Sequence, residues 1–150
     1  MVKVKLQDII EEMSFQFDEW CSFLHLDTGE VIGMHEDLLM QAEENGPESE
    51  DGEEDLTTAW DIFINTEKYA ALPDRFEINE YSMMEDFCLL QEGENKEKLL
   101  YAIRGGGAFR RFKDLVLALG IEQEWYDYRD SRYRQVAIRF CERHNMPYEE

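Results

Sequence analysis

The chain has 150 residues, of which 43% are hydrophobic and 13% aromatic, and its formal charge is −20. A chain of this length buries about 70% of the surface it exposes when unfolded, so a single domain over 1–150 with a packed core is expected and wholesale disorder is excluded. A uniform −20 would also repel phosphate, which sets nucleic acid at a disadvantage from the start.

Val2 and Val4 alternate with lysines as a short strand-like start, and Leu6, Ile9, Ile10 and Met13 have the spacing of a helix over 6–13. Two apolar runs, Trp20–Leu26 and Val31–Met34, are split by Asp27-Thr28-Gly29. That pattern predicts a β-hairpin, with Gly29 at positive φ in a type I turn plus bulge. A helix over 36–44 carries Leu38, Leu39 and Ala42. Residues 43–55 then hold eight carboxylates with Gly46, Pro47 and Gly52 and no apolar side chain to bury before the next helix, so a disordered acidic loop is expected. Its acids lack the spacing of an EF-hand loop, and no calcium site is assigned to them.

Leu56–Lys68 resumes a helix with Trp60, Phe63 and Ile64 inward, and it stops before Leu72-Pro73. Asn79 is the N-cap of a helix over 80–90 whose stripe is Tyr81, Met84, Phe87 and Cys88, with Met83-Met84 as core filler. A helix over 95–103 turns Leu99, Leu100 and Ile103 inward. Gly105-Gly106-Gly107 opens the next helix, where Phe109, Phe112, Val116 and Leu119 recur at threes and fours and should face the core. Arg110, Arg111, Lys113 and Asp114 fall off that stripe and should be solvated. Gly120 ends the helix as its C′ residue. The last helix, 122–144, buries Trp125, Tyr128, Val136, Phe140 and Cys141 and aligns Arg129, Arg132, Arg139 and Arg143 as a basic stripe. The architecture expected is α+β: a small N-terminal β-hairpin with helices, followed by a mainly helical C-terminal half.

The charge is segregated along this order. Residues 1–103 hold 6 Lys/Arg against 27 Asp/Glu, whereas 104–143 hold 9 against 6. Such a basic segment offers a place for an anion, and it equally neutralises the acidic half within one fold. Cys21, Cys88 and Cys141 are odd in number and form no C-x-x-C pair, which favours buried thiols in a reducing compartment. Asp8 interrupts the N-terminus before any signal-peptide core, and no run approaches the ~20 apolar residues of a membrane span. A cytoplasmic protein is expected.

The candidate site is Arg104, Gly105, Gly106, Gly107, Arg110, Arg111 and Lys113. Backbone N–H groups at a helix N-terminus carry partial positive charge, glycine lets an anion approach them, and the arginines add full charges. The run is not G-x-x-x-x-G-K-[ST] and no clear strand precedes it, which argues against a nucleotide P-loop. Lys96–Ile103, the turn and Ala108–Leu119 also have the layout of a helix-turn-helix. Cys21 with His25 and His35, or Cys141 with His144, fall short of four zinc ligands, and no G-x-S-x-G or H-E-x-x-H is present. No catalytic residue, metal or cofactor is assigned. The function expected is a non-catalytic adaptor or regulator that engages a partner protein through 104–114. The alternative is a nucleic-acid or phosphate-binding module using the same segment.

The block Gly105-x-Gly107-Ala108-Phe109-Arg110-Arg111-Phe112-Lys113-Asp114, followed by Trp125-Tyr126, resembles the signature of a bacterial group, uncharacterised protein family 0158. Leu26-Asp27-Thr28-Gly29-Glu30 is similar to that family's N-terminal hairpin, and Leu72-Pro73 with Met84-Glu85-Asp86-Phe87 to its middle section. The resemblance covers nearly the whole chain outside 43–55. It implies a small bacterial cytoplasmic protein and brings no activity with it. Members often have Lys or Arg where this chain has Gly106, and Trp where it has Phe140.

Overall fold

The computed structural model describes residues 2–15, 19–46 and 54–150. In order they form β1 (Val4–Lys5), α1 (Leu6–Ser14), β2 (Trp20–His25), β3 (Val31–His35), α2 (Glu36–Asn45), α3 (Glu54–Ile64), β4 (Tyr69–Ala71), α4 (Arg75–Ile78), α5 (Glu80–Leu90), α6 (Gly93–Ala102), α7 (Ala108–Ala118), α8 (Glu122–Arg143) and β5 (Tyr148–Glu149). The fold is α+β, as the residue pattern implies. The chain gathers into two compact units, residues 1–74 with 136–150, and residues 75–135.

The first unit is built on a sheet of order β3-β2-β4. β2 and β3 form the expected hairpin, in register Leu24↔Val31 through Trp20↔His35. Gly29 has φ 75°, its N–H donates to the His25 carbonyl at 2.8 Å, and the His25 N–H donates to the Glu30 carbonyl at 2.9 Å. The helix expected to reach Lys68 instead ends at Ile64. A 3-10 turn, Thr66–Lys68, follows it, and Tyr69–Ala71 joins the sheet antiparallel to β2. Of the expected acidic loop 43–55, residues 43–45 close α2 and 54–55 open α3. Residues 47–53, with the calcium reading that rested on them, lie outside the described residues.

Alternation along the strands sends side chains to two faces. Phe23, Ile32, Met34 and Tyr69 pack on one face with Ala42 of α2 and Leu56, Ala59 and Ile62 of α3. The inward stripe of α3 is therefore Leu56, Ala59 and Ile62, and Phe63 and Ile64, expected inside, are about half exposed. On the other face, the Trp20 Nε1–H and Ser22 hydroxyl both donate to Oε1 of Glu12 on α1, each at 2.8 Å. Gly33 lies beneath that carboxylate: a Cβ there would stand 2.0 Å from Glu12 Oε1. β1 pairs in parallel with β5, and α8 ends in a Schellman motif in which Met146 N–H reaches the Cys141 carbonyl at 2.8 Å.

The α3–β4 corner carries a pH-sensitive contact. Asp61 accepts hydrogen bonds from the Tyr69 hydroxyl and, at 2.6 Å, from Asn65 Nδ2. The Tyr69 bond, then the Asn65 bond, hold the Asp61 carboxyl below the usual carboxylate range. A carboxyl depressed in the folded state adds stability above its unfolded pKa of about 3.9, and that share is lost as pH falls through the folded value. Tyr69→Phe is expected to return Asp61 towards an ordinary pKa and to flatten the acid limb of the stability curve below about pH 4. A carboxylate NMR titration of both proteins reads this directly.

In the second unit, Asn79 caps α5 as expected, its side chain accepting from Ser82 N–H at 3.2 Å. Met83, Met84, Phe87 and Cys88 are buried. Tyr81, expected on that stripe, is partly exposed, and its hydroxyl donates to the Ile103 carbonyl at 2.9 Å. Phe87, Phe112 and Trp125 form an edge-to-face cluster, with Phe112 and Trp125 centroids 4.8 Å apart. α7 closes with a Schellman motif around Gly120, in which Ile121 N–H donates to Val116 and Gly120 N–H to Leu117.

Two members of the expected basic stripe on α8 are spent inside the unit. Arg129 Nε lies 2.8 Å from Glu80 Oε1 and its Nη2 donates to the Tyr133 hydroxyl at 2.9 Å. Arg132 Nη1 donates to Asp86 Oδ2 and to the Tyr128 hydroxyl, both at 2.7 Å. Burial, with the nearby Glu80, pushes the Tyr133 phenol up to about 12. Both pairs tie α5 to α8 through partly buried, doubly bonded guanidinium groups, a geometry stronger than an exposed ion pair.

Candidate functional site at the glycine turn

α6 ends at Ala102, and a helix C-terminus leaves its last carbonyls without intrahelical donors. Arg111, in the first turn and a half of α7, supplies the donors. Its Nε–H donates to the Ala102 carbonyl at 2.9 Å, and its two terminal nitrogens donate to the carbonyls of Gly106 and Arg104. A planar five-donor fork suits three converging carbonyls, and its charge sits favourably at the negative end of α6. Arg111 is exposed, as its place off the apolar stripe implies, and its guanidinium folds back onto the turn and clamps it.

Gly105 and Gly107 have φ of 71° and 77°, the left-handed region in which a side chain costs about 1–2 kcal/mol. Gly106 is different: its φ is not positive, and a Cβ on it would meet nothing within 4 Å. Gly106→Ala is therefore expected to be neutral or stabilising by up to about 1 kcal/mol, through the entropy of the unfolded chain. Gly105→Ala and Gly107→Ala should each lose about 1–2 kcal/mol. Urea unfolding of the three variants separates these outcomes.

The remaining members of the site face outward. Arg104, Arg110 and Lys113 are exposed. The Arg104 guanidinium lies over the Tyr101 ring, 5.9 Å from its centroid, and Tyr101 is itself 74% exposed. Phe109, expected in the core, is 46% exposed. The buried stripe of α7 is Ala108, Phe112 and Val116, so Phe109 shares the outer side of the helix with Lys113 and Leu117 at steps of four. Aromatic rings and cations thus surround a turn that the Arg111 hydrogen bonds brace. Gly107 is the N-cap of α7 and offers no side-chain cap.

Among the described residues, no group of three or more His, Cys, Asp or Glu could hold a metal ion. Burial pushes the Cys88 and Cys141 thiols up to about 11, which makes them poor nucleophiles at neutral pH. No helix among the described residues is long and apolar enough to cross a membrane.

The block that carries the family resemblance divides cleanly on this geometry. Gly105, Gly107, Ala108, Arg111, Phe112 and Trp125 build the turn and the core beneath it. Phe109, Arg110, Lys113 and Tyr126 stay on the surface. No curated protein and no solved structure matches the chain. The model of the Uncharacterised protein family (UPF0158) matches residues 2–149, and the chain belongs to that family.

Proposed function

We propose that this protein is a non-catalytic cytoplasmic adaptor or regulator that binds an acidic surface of a partner protein through the outer side of segment 104–114. One observation carries the reading: Tyr101 and Phe109 are left exposed beside Arg104, Arg110 and Lys113, on a turn whose own polar needs Arg111 meets. Exposed aromatics and arginines are the residue types that anchor protein interfaces, and a rigid backbone lowers the entropy lost on docking. The same rings and cations suit single-stranded nucleic acid, where bases stack on aromatics. With Arg111 committed to carbonyls, α7 offers such a strand only Arg110 and Lys113, few for counterion-driven binding.

The test is affinity capture from a lysate, with and without nuclease, comparing wild type with Arg110→Glu/Lys113→Glu and with Tyr101→Ala. These positions are exposed, so unchanged circular dichroism and melting are expected. A partner protein that survives nuclease and is lost by both variants supports the proposal. Capture abolished by nuclease promotes nucleic acid. Identical partners for all three proteins would leave the segment as scaffold and refute the assignment.

A further inference from the structure

We propose that the outer edge of β3 is a second docking site, one that accepts an extended basic strand from another protein by β-strand addition. β3 lies at the edge of its sheet. The His25–Glu30 backbone bond fixes which pairs are hydrogen-bonded in the antiparallel ladder, and alternation then assigns Ile32 and Met34 inward to β2. The N–H and C=O groups of Val31 and Gly33 point away from the sheet, where no strand meets them among the described residues. Natural edges are commonly blocked by proline, lysine or a covering element. This edge carries neither residue, and among the described residues no strand covers it.

Two cavities meet along it and share Glu30. One, of about 710 Å³, has Ile32, Met34 and Leu38 in its wall, with Asp37, Gln41 and Thr58 among its polar lining. The other, of about 380 Å³, is lined by Asp8, Glu11, Glu12 and Glu30, beside Val31. An added strand sends alternate side chains to opposite faces. It would place apolar side chains in the first cavity and meet carboxylates with the rest, so the partner is a strand alternating apolar residues with Lys or Arg. A second copy of this chain is disfavoured, because pairing two β3 edges would bring Glu30 and its acidic neighbours against themselves. The unit holding the edge has five Lys/Arg against 23 Asp/Glu in sequence, which steers a basic partner in and a like unit away.

The experiment titrates the full-length ¹⁵N-labelled protein with an eight-residue peptide of alternating Val and Lys. Three controls accompany it: a Val/Glu peptide, a scrambled peptide of equal charge, and a Val/Lys peptide N-methylated on every second residue. The expected result is saturable binding by the Val/Lys peptide, with hydrogen-exchange protection gained at Val31 and Gly33. The N-methylated and scrambled forms should bind at least tenfold more weakly, since they lose the ladder bonds or the alternation. Equal affinity for those two forms, no binding of any peptide, or unchanged exchange at Val31 and Gly33 would each overturn the proposal. Protection of the same amides without peptide, growing with protein concentration, would assign the edge to self-association instead.

Discussion

Gly33→Ala should lower the unfolding free energy by about 2–3 kcal/mol, a large effect for one added methyl group on a half-exposed strand. The new Cβ would stand 2.0 Å from Glu12 Oε1 and 2.8 Å from Trp20 Nε1. The carboxylate is the group that must leave, and with it go the bonds from Trp20 and Ser22. Losing hydrogen bonds to a charged group and overfilling a packed contact each cost on the order of 1–3 kcal/mol. Replacing glycine within a strand returns about 0.5–1 kcal/mol through backbone entropy, which sets the net figure. The mechanism makes a sharper claim than the size does. In a Glu12→Ala background, Gly33→Ala should cost at least about 1 kcal/mol less, because the closest of the two clashes has been removed and only Trp20 Nε1 remains in the way. Additive losses across this double-mutant cycle, measured by denaturant unfolding, would show that Glu12 does not seat on Gly33.

Arg111→Met is expected to destabilise the protein by about 2 kcal/mol, whereas Arg110→Met changes stability by less than about 0.5 kcal/mol. The two side chains are adjacent in sequence and of equal length and charge, so the contrast isolates geometry. Arg111 serves the carbonyls of Ala102, Arg104 and Gly106. A bond to a charged donor is worth about 1.5–3 kcal/mol when buried, and the exposure of two of the three discounts the sum. Arg111→Lys should recover little of the loss, since a single ammonium cannot reach three carbonyls from one position. Full rescue by lysine would mean that charge at the end of α6, rather than the fork, holds the turn.

The basic segment braces its own turn through Arg111, and the sequence reveals this and the rest of the fold unevenly. The hairpin was legible because Asp27-Thr28-Gly29 dictates a turn and the apolar runs flank it. The Asn79 cap and the Gly120 stop were legible for the same local reason. Phe109 reads as core because Ala108 is too small to announce a buried stripe: Ala108, Phe112 and Val116 lie at steps of four, Phe109, Phe112 and Val116 at three and four, and both spacings fit one helical face. β4 escaped notice because three residues, Tyr69-Ala70-Ala71, cannot establish an alternation. The Glu12–Gly33 seat and the reach of Arg111 back to Ala102 join residues distant along the chain. No periodicity encodes such contacts. Arg129 and Arg132 read as part of a basic stripe from spacing alone, and only the placement of Glu80 and Asp86 on α5 shows what they pair with.

The account rests on this division of labour between Arg111 within the turn and Arg110 outside it. The most direct test is ¹⁵N NMR of the arginine Nε–H groups. The account expects Arg111 Nε–H to exchange slowly with solvent and to show a through-hydrogen-bond coupling to the Ala102 carbonyl carbon, while Arg110 Nε–H exchanges at the rate of a free side chain. Equally fast exchange at both arginines, with no coupling at Ala102, would contradict it and show that Arg111 does not brace the turn.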